Sequence, residues 1–248
     1  SVDSVYKKQL DELEKLCKNY LKFLDKGKTE RECVKQIVKQ AEEKGYVNLA
    51  DITKDKKALK AGDKVYSVCM DKTVALFQIG KKKLEKGMNI LGAHIDSPRM
   101  DVKQNPLYES EEFAYLDTHY YGGIKKYQWV TLPLALHGVV VKKDGTVITV
   151  NVGEDKNDPV FCVTDLLIHL AGEQMEKKAN KVIEGENLDV LVGSKPLEGK
   201  EKDAVKEGIL EILKEKYDMT EEDFMSAEIE VVPVSYTHLR AHETLMNL

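Results

Sequence analysis

What this chain of 248 residues has little of narrows its chemistry before any motif is read. No apolar run approaches the roughly 20 residues that a membrane-spanning helix takes. Neither end joins a basic stretch to an apolar core, so no secretion signal is indicated. Cys17, Cys33, Cys69 and Cys162 lie far apart and form no Cys-x-x-Cys pair. That argues against a metal held by cysteine and makes the reducing cytoplasm the expected home. The net charge is −5, and the lysines are scattered among acids rather than gathered into a stripe, so nucleic acid is not an expected partner. Internal repeats and long low-complexity tracts are absent too. Ser1 stands where a Met would begin a chain, which points to a start further upstream.

What is present describes a globular protein in water: 42% hydrophobic and 33% charged residues, with length for one large domain or two modest ones. Leu10, Leu13, Cys17, Tyr20, Leu21 and Leu24 recur at helical spacing, and Gly27 follows as a stop. Thr29 and Glu32 make a capping box for a second helix with Cys33, Val34, Ile37, Val38 and Ala41 on its apolar stripe, closing near Gly45. Both helices are expected to cover a core. Val65 to Met70 and Thr73 to Ile79, split by Asp71-Lys72, predict a hairpin. Beyond Pro106 come shorter strands and polar turns, including a hairpin around Lys143-Asp144-Gly145. Leu166 to Lys178 reads as a helix, with Leu166, Leu167, Leu170 and Ala171 on its apolar side. Ala204 to Leu213 reads as another, its charges between Lys200 and Lys216 forming the wet face. Thr220 can cap a short helix before a strand over Ile229 to Val232.

The chain is organised around Met88 to Met100. Met88 to Ala93 is short and nearly uncharged, which predicts a strand buried on both faces, as in a parallel sheet. It leads into His94-Ile95-Asp96-Ser97-Pro98. Residues two apart on a strand share a face. Asp96 can therefore hold one imidazole nitrogen of His94 while the other binds a metal, fixing the tautomer and raising the basicity of the ligand. The plainer alternative is a histidine that happens to end a strand.

Gly92-Ala93-His94-Ile95-Asp96-Ser97-Pro98 is followed by Tyr121-Gly122-Gly123, Tyr127-Gln128-Trp129, Leu134-Ala135-Leu136-His137-Gly138 and Asp165-Leu166-Leu167-Ile168-His169-Leu170. From roughly the first helix to Val234, this series resembles the aspartyl aminopeptidase family of dizinc metallopeptidases. The resemblance implies an α/β fold: an incomplete zinc-peptidase-like catalytic domain over residues 1–105, with an inserted β-rich α+β dimerisation domain over 106–232. It implies removal of N-terminal, preferentially acidic, residues from peptides. His94 would be a metal ligand and Asp96 its catalytic orienting carboxylate, with zinc at two ions per site and cobalt or manganese as alternatives. It also implies a homo-oligomer of dimers building a higher assembly. His169, on residues alone a core histidine bonded to backbone, would by resemblance reach from one subunit toward its partner's active site.

His119 and His137 read as structural; Arg99 could meet an acidic substrate or a carboxylate neighbour, but reads first as an ordinary surface ion pair. Glu42-Glu43, Glu111-Glu112 and Glu221-Glu222 close no hydrophobic strand, so none reads as the family's Glu-Glu pair of base and ligand. Residues 233–248 are the truncated end: the match stops after Val234, and Ser235 to Leu248 resembles translated adapter sequence at a broken end. His238 and His242 are spaced for one helix face, but the zinc motif needs Glu after the first histidine and Glu243 follows the second. One histidine with one orienting aspartate does not complete a catalytic zinc site, so the chain as written is expected to be inactive. Two other readings stand beside it: a non-catalytic assembly module pairing through the inserted domain, and a different dimetal hydrolase sharing His-x-Asp.

Overall fold

A computed structural model describes residues 2–234, with side chains from Lys7 onward. The chain divides into two compact units between Asp96 and Ser97.

The first unit opens with helices α1 (Val2–Lys26) and α2 (Glu30–Glu43). The capping box forms as expected: Glu32 N–H donates to Thr29 Oγ1 at 3.3 Å, and Glu32 Oε2 accepts from Thr29 N–H at 3.2 Å. The helices meet closely at Gly27, where a Cβ would lie 2.8 Å from Gln36 Nε2 and 2.9 Å from Cys33 Sγ. Both side chains bond carbonyls at the end of α1, Gln36 Nε2 donating to Phe23 O at 2.9 Å and Cys33 Sγ to Gly27 O at 3.3 Å. After them come β1 (Val47–Asn48), α3 (Leu49–Lys54), β2 (Lys64–Cys69) and β3 (Thr73–Gln78). The strands form one sheet, order β1-β2-β3, with β1 parallel to β2 and β3 antiparallel to it. Helix α2 packs on β2 and β3, burying Cys33, Val34, Val65 and Tyr66.

Two expectations fail in this unit. The stripe of α1 is not core cover: Leu10, Leu13, Tyr20 and Leu21 are exposed, and of the stripe only Leu24 is buried. Met88 to Ala93 is not a buried strand either. It is irregular, with Ile90 79% and Leu91 100% exposed. A strand of that kind needs ladder partners for its backbone and layers on both faces, and no described strand pairs with it.

The second unit is β-rich α+β. Its elements are β4 (Arg99–Ser110), β5 (Phe113–Tyr121), β6 (Leu134–Val141), β7 (Val147–Val152), β8 (Cys162–Val163), α4 (Gly172–Met175), β9 (Val190–Gly193), α5 (Ala204–Tyr217) and β10 (Ala227–Pro233). They build one antiparallel sheet, order β7-β6-β10-β4-β5-β9-β8. Pro106 lies inside β4, where the register with β5 shifts between Val102 and Leu107 and a missing N–H is tolerated. β4 therefore crosses the composition change at 105/106, and the compact units divide before it. Met100, Leu116, Leu134, Val140, Val190 and Val231 form the core with Trp129, and Val205 from α5 packs among them. Gly138 allows β6 and β10 to pair, since a Cβ there would lie 2.0 Å from Glu228 O.

The hairpin at Gly145 forms, Lys142 N–H donating to Thr146 O at 2.8 Å, and Thr220 caps a 3-10 turn over Glu221–Ser226 through Asp223. The helix expected over Leu166 to Lys178 does not. A 3-10 turn (Ile168–Leu170) and the short α4 stand in its place, with Leu166, Leu167, Ile168 and Leu170 exposed. Short helices draw their stability from a packed face, and these residues have none to pack against among those described. The break falls at Ala171, and Gly172, a poor helix former, opens the short α4.

Candidate metal-ligand site

His94 stands in the irregular stretch that follows Met88 to Ala93. Its Nδ1 lies 3.1 Å from Asp96 Oδ1 and 3.1 Å from Asp96 O. With Nδ1–H donating to the carboxylate, Nε2 keeps its lone pair, which is the arrangement a metal-binding imidazole uses. The pair is open to solvent, the side chains being 79% and 36% exposed. Such an exposed contact orients the ring and contributes little to stability.

A catalytic zinc takes three protein ligands and a structural one four. Among the described residues, no group of three or more His, Cys, Asp or Glu side chains could hold a metal ion. The described residues therefore do not fit a zinc ion by themselves; they offer one imidazole and its orienting carboxylate. The glutamate pairs behave as surface. Glu42 Oε1 accepts from Tyr66 OH at 2.7 Å, Glu221 and Glu222 pair with Lys206 and Lys143 at 2.6 and 2.7 Å, and Glu111 and Glu112 form the tip between β4 and β5. His169 sits exposed on the Ile168–Leu170 turn of the second unit, not on the expected helix. His238 and His242 lie outside the described residues.

Arg99 corrects another expectation. It is buried rather than on the surface, with Nε 2.7 Å from Asp101 Oδ1 and 3.3 Å from Glu230 Oε2, and its guanidinium 4.1 Å from the centre of the Tyr121 ring. Glu230 stands opposite His137 across the β10–β6 ladder, and His137 Nε2 lies 2.8 Å from Glu154 Oε1. A carboxylate neighbour for Arg99 was open in the sequence, but Glu230 joins the cluster only once β10 is placed between β4 and β6. A second polar group joins β4 to the segment before β9, where the Tyr108 hydroxyl donates to Asp189 Oδ2 at 2.5 Å. Burial pushes the carboxyl of Asp189 up and, with the Asp189 bond, the phenol of Tyr108 up as well.

Residues 23–244 match the family model described as "Aminopeptidase I zinc metalloprotease (M18)". The chain is 61% identical over 227 residues to the probable M18 family aminopeptidase 1 of Clostridium acetobutylicum, covering 91% of this chain and 49% of that one. The crystal structure of aminopeptidase I from C. acetobutylicum superimposes with a TM-score of 0.80 at 60% identity, over 91% of this chain and 50% of that one. The M18-family aminopeptidase of Thermotoga maritima does so with a TM-score of 0.84 at 47% identity, over 91% of this chain and 48% of that one. Fold and sequence together define the class as metalloprotease. More narrowly, the chain belongs to the aminopeptidase I zinc metalloprotease family, M18. It spans about half the length of the curated relatives it matches.

Proposed function

We infer that these residues serve a zinc-dependent aminopeptidase that removes N-terminal, preferentially acidic, residues from peptides in the cytoplasm. The observation that carries this reading is the His94–Asp96 pair, with Nδ1 held at 3.1 Å and Nε2 left to bind, in a chain of the M18 family. His94 is one ligand of a site with two zinc ions, and Asp96 holds its ring. The 248-residue chain is itself inactive, since its described residues offer a single ligand with its orienting carboxylate. His169 contacts substrate from a partner subunit, and dimers joined through the β-rich unit build the larger assembly. The exposed apolar turn at Leu166, Leu167, Ile168 and Leu170 supports a role for that unit in pairing. The same turn favours a second reading, in which this chain only pairs with other subunits and catalyses nothing.

The test is metal content and turnover of the intact gene product on aspartyl and glutamyl substrates. His94→Ala should lower bound zinc and abolish turnover. His169→Ala should leave zinc unchanged and lower turnover by ~10²–10³, the usual loss when one hydrogen-bond donor to a developing oxyanion is removed. Full zinc and full turnover in His94→Ala would end the proposal.

A further inference from the structure

A cavity of about 770 Å³ opens in the first unit between the end of α2, β1, α3 and the segment entering β2. Lys44, Lys57, Lys60 and Lys64 line it, against a single carboxylate, Asp63. Val47 and Ile52 provide an apolar wall. Asp63 is committed to the backbone, its Oδ2 accepting from Lys60 N–H at 2.7 Å. Lys57 Nζ pairs with Asp55 at 2.8 Å, and Lys64 Nζ donates to Lys44 O at 3.2 Å while lying 5.5 Å from the centre of the Tyr46 ring. Among the described residues, the ammonium groups of Lys44 and Lys60 meet no carboxylate at ion-pair distance.

Four lysines thus face one cavity, and of them Lys57 is paired with a carboxylate. Gathering like charges costs energy that an anionic ligand would offset. Lysine suits phosphate as a mobile point charge, and the volume falls within the ~300–1,000 Å³ of ordinary small-molecule sites. Lys44 is also the C-cap of α2, and a helix C-terminus by itself favours cations. The helix end opposes an anion, so one that binds here must gain from several lysines at once.

We propose that this cavity binds a linear polyphosphate group, with its charges among Lys44, Lys57, Lys60 and Lys64 and any less polar portion against Val47 and Ile52. The group can come from inorganic polyphosphate or from a nucleoside triphosphate, and the experiment separates the two. The full chain is titrated calorimetrically at low salt with inorganic tripolyphosphate, adenosine triphosphate and inorganic phosphate. Tripolyphosphate should saturate with a Kd below ~1 mM, and inorganic phosphate should bind far more weakly. Lys44→Gln with Lys60→Gln should weaken tripolyphosphate on the order of tenfold or more, while Lys7→Gln with Lys18→Gln on α1 should not. Tighter binding of adenosine triphosphate than of tripolyphosphate assigns the nucleotide as the source; equal or weaker binding assigns the inorganic chain. A second measurement needs no variant: tripolyphosphate should protect Lys44 and Lys60 of the unaltered chain from chemical acetylation, read by mass spectrometry. Absence of saturation by both polyphosphates, equal loss in the α1 pair, or absence of protection would overturn the proposal.

Discussion

Glu109 on β4 caps helix α5 from a distant part of the chain: its Oε2 accepts from the backbone N–H groups of Val205, at 2.8 Å, and Lys206, at 2.9 Å. The residue at the N-cap position, Asp203, makes no side-chain cap and adopts a left-handed backbone with φ +49°. The strand carboxylate thus satisfies two of the helix's free donors and places negative charge at its positive end.

We expect Glu109→Ala to lower the stability of the chain by about 0.5–2 kcal/mol, the range for loss of a helix cap. Glu109→Gln should cost less, because its carbonyl oxygen can still accept. The urea midpoint of the two variants checks the order. Equal midpoints for Glu109→Ala and the unaltered chain would show that α5 does not depend on this cap.

The turn joining β4 to β5 consists of Glu111 and Glu112, at φ +50° and +63°. Two-residue hairpins with both residues left-handed favour Asn-Gly. Replacing the pair by Asn-Gly should raise stability by roughly 0.5–1 kcal/mol through relief of backbone strain. Thermal unfolding measures it, and a fall in the midpoint would contradict the turn geometry.

Asp218 is held down to about 2 by hydrogen bonds from Lys142 and then Lys214, with their charges adding to the effect. A carboxyl lowered in the folded chain binds its proton more readily once unfolded. Its stabilisation is therefore complete above the ordinary aspartate range, near ~4, and is lost as pH falls toward 2. Asp144 and Asp158, lowered chiefly by backbone hydrogen bonds from Thr146 and Gly153, act in the same direction. Stability measured from pH 5 to pH 2 should fall, and Asp218→Asn should flatten that fall. An unchanged slope in the variant would remove Asp218 from the account.

Local chemistry was readable in advance where few neighbours decide it. Thr29 and Glu32 cap α2 through bonds between residues three apart, and Lys143-Asp144-Gly145 turns its hairpin with Gly145 at φ +85°. The strand at Ile229 to Val232 forms because its β-branched residues meet β6 and β4 on either side. Where the outcome depends on distant partners, the sequence misled. Met88 to Ala93 has the composition of a buried strand but no described neighbour, and Leu166 to Leu170 has that of a helix face but nothing described to cover it. Arg99 has the look of a surface charge and is buried by strands that arrive from both sides, β5 at Tyr121 and β10 at Glu230. At the candidate site, the approach of Asp96 to His94 was legible because two residues suffice to make it.

The most direct test of the central claim, that these residues contribute a single oriented ligand rather than a complete metal site, is an aminopeptidase assay on the purified 248-residue chain. Aspartyl and glutamyl substrates are supplied with and without added zinc, cobalt or manganese, and hydrolysis is followed over hours. No turnover above background should be detected under any of these conditions, since the described residues hold no three-ligand group. Metal-dependent turnover by the chain alone, lost in His94→Ala, would contradict it.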